Sequence, residues 1–137
     1  MKGLLYFHQL PQNILGSLIS KGGEKRLVRT SDGNVQFITF KHLFYSGISL
    51  GDYIILDSRN HNEFDEITIN HEYGHQKQSR ILGWLYLPTV GLVSMCRNIW
   101  DRIFHSKWNF EKRAKWYYSH WPENKADEFG GVRRNFK

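Results

Sequence analysis

Apolar residues first recur at helical spacing at Leu10, Ile14, Leu15, Leu18 and Ile19, and the run stops at Gly22-Gly23. This predicts a short amphipathic helix. The period then changes. Arg26 to Thr30 and Asn34 to Phe40 are rich in Val, Ile, Phe and Thr and flank Ser31-Asp32-Gly33, whose Asp-Gly pair is a strong turn signal, so a β-hairpin is expected. Tyr53 to Asp57 is a compact β-prone run between Gly51-Asp52 and the polar stretch Ser58 to Glu63, and reads as a third strand. An exposed edge strand is expected near Ile48 to Leu56.

A longer helix is expected to begin near Asn62 to Asp65, where a cap residue precedes acidic groups suited to the positive end of the helix dipole, and to run to about Arg80. Its inward face, at spacings of three and four, comprises Ile67, His71, Gly74 or His75, Gln78 and Leu82. The next segment, Ile81 to Met95, is almost wholly apolar but is interrupted by Gly83, Pro88, Gly91 and Ser94. Its 15 residues fall short of the roughly 20 that span a bilayer as a helix. It is either a buried turn-rich segment or an interfacial one. Ile99, Trp100, Ile103 and Phe104 then form a helical stripe, followed by the basic and aromatic stretch Lys107 to Trp121. Pro122 suits the first turn of a final helix that Gly130-Gly131 can end. The pattern as a whole predicts an α+β fold with a small sheet.

Composition narrows the picture. A length of 137 residues fits a single domain, 1–137, with an apolar and aromatic insertion at about 81–121. The lone Cys96 cannot form an internal bridge, reads as a small buried hydrophobe, and favours a reducing compartment. Leu4 to Phe7 is cut short by His8, Gln9, Pro11, Gln12 and Asn13, so no export signal is read and a cytoplasmic location is expected, with membrane-surface contact through 81–121 as an added partner. The net charge of +6 attracts anionic partners of any kind. No recognised binding motif accompanies it, which argues against nucleic acid. The basic run Lys112, Arg113 and Lys115 and the tail Arg133, Arg134 and Lys137 read as solvated surface.

The chemistry is concentrated at His71-Glu72-Tyr73-Gly74-His75. Two histidines four apart on a helix project to one side about one turn apart, the spacing that lets both bind one tetrahedral zinc ion. A catalytic site needs a third protein ligand. The metzincin pattern would put Gly at position 78 and His at position 81, where this chain has Gln78 and Ile81, so that class is excluded. The other common solution is a Glu from a second helix, and Glu123 and Asp127 share a face there.

His71-Glu72-x-x-His75 with a downstream Glu123-x-x-Ala126-Asp127 resembles the gluzincins, the thermolysin-like metallopeptidases, and particularly their single-domain minigluzincin forms. The run from His71 to His75 and the closing Ala126-Asp127-x-x-Gly130-Gly131-Val132 also resemble short uncharacterised bacterial proteins. The resemblance implies a zincin-like arrangement of sheet, active-site helix and glutamate helix. It implies that His71, His75 and Glu123 bind Zn2+, that Glu72 is the general base, and that Asp127 orients His71. No residue is assigned as the transition-state donor from the sequence; His120, Tyr117 and Tyr118 are near Glu123, and His120, three residues before it, is a candidate donor or alternative ligand. The expected activity is hydrolysis of a peptide or protein substrate by a zinc-activated water. The rival reading is a non-catalytic, zinc-stabilised binding protein at a membrane surface.

Overall fold

The computed structural model describes residues 2–43, 45–60 and 66–136. Among these residues the chain is mixed α+β, with one four-stranded sheet and six α-helices. Helices α1 (Lys2–His8) and α2 (Leu10–Ile19) precede strands β1 (Glu24–Arg29), β2 (Val35–Lys41), β3 (Gly47–Leu50) and β4 (Tyr53–Asp57). Helices α3 (Glu66–Leu82), α4 (Leu92–Phe104), α5 (Phe110–Tyr118) and α6 (Glu123–Gly130) follow.

The expected hairpin is β1–β2, antiparallel with Arg29 opposite Val35. Asp32 closes its turn by accepting from the Thr30 hydroxyl at 2.7 Å and the Asn34 amide at 3.1 Å, while Gly33 supplies the left-handed residue at φ +84°. The single edge strand expected near Ile48 to Leu56 is instead two strands. Gly51, at φ +64°, turns β3 back onto β4, and β4 also pairs in parallel with β2, giving the order β1-β2-β4-β3. The reason lies in the Tyr-Ile-Ile-Leu run: Ile54, Ile55 and Leu56 are all buried, as a strand covered on both faces requires, so β4 sits inside the sheet and β3 takes the edge.

The expected helix start at 62–65 lies outside the described residues; α3 is described from Glu66 and runs two residues past Arg80. Its predicted inward stripe needs correction at both ends. Ile67 is exposed and Leu82 is only half-buried, whereas Ile69 and Tyr73 join Ile38, Phe40, Ile54 and Leu56 in the core. Every residue from His71 to Gln76 is buried, because α3 has the sheet on its Ile69–Tyr73 side and α6 on its Gly74 side.

Ile81 to Met95 is neither wholly core nor wholly surface. Tyr86 and Val90 are buried, while Ile81, Trp84, Leu85, Leu92 and Met95 are exposed, and a single π-helical turn over Leu87–Gly91 feeds the chain into α4. Cys96 is exposed on α4 rather than buried, on the same side of the helix as the exposed Met95, Ile99 and Trp100. No helix among the described residues is long and apolar enough to cross a membrane. Pro122 caps α6 from outside rather than filling its first turn; its carbonyl accepts from the Ala126 amide at 3.0 Å. At the other end Gly131, at φ +70°, lets the Val132 amide reach the Asp127 carbonyl at 2.8 Å.

Candidate metal centre

The site exists because α3 and α6 pack with almost no side chain between them. A Cβ on Gly74 would lie 1.7 Å from the Ala126 carbonyl oxygen, and one on Gly130 would lie 1.9 Å from that of Asn70. Two glycines, one per helix, therefore set the separation. The β1–β2 turn braces the pair: the Ser31 hydroxyl donates to the Gly130 carbonyl at 2.6 Å, and the Tyr73 hydroxyl donates to Asp32 at 2.7 Å.

At this separation Glu123, fully buried, reaches across to both histidines. Its Oε2 stands 2.9 Å from His71 Nε2 and 2.9 Å from His75 Nε2. His71, His75 and Glu123 thus form a buried group able to hold a metal ion, with donor atoms within 4.8 Å of one another.

Each of the three has an outer partner that fixes its orientation. His71 Nδ1 donates to Asp127 Oδ1 at 2.7 Å, and Asp127 is itself gripped by Arg134 at 2.7 and 3.1 Å. His75 Nδ1 donates to Gln78 Oε1 at 2.7 Å, while Gln78 Nε2 donates to the Pro122 carbonyl at 3.1 Å. The second oxygen of Glu123 accepts from the Ser94 hydroxyl and, at 3.1 Å, from Tyr117.

These partners dictate the tautomers. Asp127 is held ionised, because the His71 and Arg134 contacts outweigh its burial, so it can only accept. Gln78 spends its amide N–H on Pro122 and turns its oxygen to His75. Both Nδ1 atoms are therefore donors, and in neutral rings both Nε2 lone pairs point at the Glu123 carboxylate. Acceptors facing acceptors at 2.9 Å need a cation between them, and either a proton or a metal ion answers. Burial pulls His71 down, but its bonds to the Asp127 and Glu123 carboxylates prevail and push it up to about 9. The same opposition of burial by the two histidines holds Glu123 well below the usual carboxylate range.

The donor set opens into a cleft of about 640 Å³ bounded by the edge strand β3 on one side and by α4 and α5 on the other. Glu72 lies in this cleft beside the histidines and is buried; a Cβ on Gly47, the first residue of β3, would sit 3.0 Å from its Oε1. Burial raises Glu72 above its ordinary value against the pull of His71 and His75.

No protein-family model, curated protein or solved structure matches the chain. What the site can do rests on its own residues. The structure brings His71, Glu72, His75, Glu123 and Asp127 together. His120 stays apart: it lies just past α5 with its Nδ1 2.5 Å from the Trp116 carbonyl of that helix, and it neither joins the donor group nor lines the cleft. The sequence reading missed Gln78, Ser94 and Arg134 as partners of the ligands. Gln78 carried a signal, being one turn beyond His75 on the buried face. Ser94 and Arg134, far from the motif and on other elements, carried none, and Arg134 is no mere solvated tail residue.

Proposed function

We propose that the chain is a zinc-dependent peptidase-type hydrolase of gluzincin-like, zincin-fold architecture. The observation that carries this reading is the meeting of three buried donors with an unligated, buried Glu72 at the wall of one open cleft. Two neutral imidazoles and one carboxylate are a zinc-type donor set, short of four, as a catalytic site requires. When bound, the zinc ion supplies Lewis acidity, polarising a carbonyl and acidifying water.

The remaining work falls to this chain's side chains. Glu72, raised by burial, takes a proton from the attacking water and gives it to the leaving amine. β3 is the sheet edge along the cleft, so an extended peptide can add to it as a further strand. Ser49 Oγ and Asn98 Oδ1, buried in the cleft lining without a hydrogen-bond partner among the described residues, are the atoms such a peptide would satisfy. Tyr86 and Tyr117 already donate, to the Ser49 carbonyl and to Glu123. Tyr118 lies edge-on to His71 at 5.2 Å, and burial keeps its hydroxyl protonated up to about 12, against the pull of Arg134. It takes the transition-state donor role for which the sequence offered His120, Tyr117 and Tyr118.

Glu72→Gln separates this reading from a zinc-stabilised binding protein. Hydrolysis of a casein or mixed-peptide substrate should vanish while zinc content is unchanged; a wild-type protein that binds zinc and cleaves nothing supports the binding-protein reading.

A further inference from the structure

An amphipathic helix on a globular protein turns its apolar face to the core and its polar face to water. α4 does the reverse. Leu92, Met95, Ile99, Trp100, Ile103 and Phe104 share one face by their spacing, and each is 43 to 62 % exposed. The inward face is polar: Ser94 bonds Glu123, Asp101 pairs with Arg113 at 2.7 Å, and His105 is buried. α2 repeats the inversion. It buries Gln12 and Asn13 and exposes Ile14, Leu15 and Leu18. Gln12 Nε2 donates to Ser79 at 2.9 Å and to the Gly83 carbonyl at 2.8 Å, and Asn13 accepts from the Asp52 amide at 2.7 Å. Neither helix can roll its apolar face inward without breaking these bonds.

Both apolar faces reach one cleft. Leu15 of α2 and Leu92 and Met95 of α4 line the same cleft, together with Phe110, which is 87 % exposed. Charge follows the same division. Residues 2–23 and 81–121 carry eight Lys and Arg against two Asp and Glu, whereas the rest of the chain carries eleven of each. The whole net charge of +6 therefore belongs to the segments that hold the inverted helices.

We propose that this face, formed by α2 and α4 around the cleft mouth, docks on an anionic lipid bilayer. The α4 stripe and Phe110 enter the boundary between headgroups and acyl chains, and the flanking Lys and Arg meet the lipid phosphates. Charge selects this occupant, since the segments that carry this face hold the whole net charge of the chain and a second copy would bring like charges together. Because no described helix can span a bilayer, the association is interfacial. It goes beyond the peptidase reading and stands without it.

All five Trp lie between positions 84 and 121, so their emission reports the contact. The full chain is mixed with vesicles of phosphatidylglycerol and phosphatidylcholine, then sedimented. Wild type should co-sediment with a blue-shifted emission, less so with phosphatidylcholine alone. The double variant Ile103→Asn/Phe104→Ser should lose about tenfold or more in partitioning, with near-ultraviolet circular dichroism unchanged. Phe110→Ser, at the most exposed of these side chains, should weaken binding in the same direction should the double variant misfold. Absence of wild-type binding to anionic vesicles overturns the proposal. So does wild-type-like binding of both variants, which would leave charge alone responsible. A wild-type dimer that the double variant dissolves, without vesicle binding, assigns the face to a second copy. The assay uses no metal and no hydrolysis, so its failure and that of the metal-centre reading are read separately.

Discussion

Gly74 of α3 lies against Ala126 of α6 so closely that a single added methyl at position 74 would fall 1.7 Å from the Ala126 carbonyl oxygen. The atom it would meet is backbone, which cannot swing aside. Gly74→Ala should therefore force the helices apart and cost about 3 kcal/mol, at the upper end of overpacking penalties. Equilibrium urea unfolding measures it. Because the same separation brings Glu123 to the histidines, metal affinity should fall with stability; a variant with wild-type stability and affinity would contradict this account of the packing.

Gln78 fixes the tautomer of His75 through a bond it can direct only because its own N–H is engaged by the Pro122 carbonyl. Gln78→Leu removes the acceptor and lets the ring turn or change tautomer. Zinc affinity, measured against a competing chromophoric chelator, should fall about 10- to 100-fold. Gln78→Glu restores an acceptor and should recover part of the loss.

The pH dependence of the metal-free protein has a definite sign. His71 is raised from an ordinary 6.5 to about 9, so its protonation stabilises the fold. That contribution is complete below pH 6.5 and is lost as pH rises through about 9. The melting temperature of the metal-free protein should fall across this window. Zinc competes with the same proton, so its affinity should rise over the window and the zinc-loaded protein should not show the fall. A flat melting profile for the metal-free protein would contradict the arrangement of His71 between two carboxylates.

Tyr118→Phe removes only a hydroxyl from the ring beside His71. In the peptidase reading kcat should fall about 10²- to 10³-fold, the usual effect of losing one transition-state donor, while zinc content and KM change little. His120→Ala should leave kcat near wild type. The reverse pattern would return the role to His120.

The sequence made some parts of this protein plain and hid others for physical reasons. Asp32-Gly33 marked the first hairpin because a left-handed residue is needed there and few residues tolerate it. His71 and His75 stood out because the helical period places both on one side, and Glu123 and Asp127 share a face in the same way. Gly51-Asp52 bounded the strand at 53–57 but did not disclose the second hairpin, since the short Gly47–Leu50 strand has little pattern of its own and gains its place by pairing with β4. The stripe on α4 was legible as a stripe, yet its direction was not. Periodicity says which residues share a face, whereas the Ser94–Glu123 and Asp101–Arg113 contacts decide which face turns inward. Those contacts join distant segments and leave no local trace.

The most direct test of the metal centre is zinc bound per chain by the wild-type protein, His75→Ala and Glu123→Ala after metal stripping, reloading and removal of free ion. The proposed zinc site at this donor group predicts about one zinc per wild-type chain and near loss in both variants. A wild-type chain that takes up no zinc, or a Glu123→Ala chain that keeps it at wild-type affinity, would contradict the three-donor site.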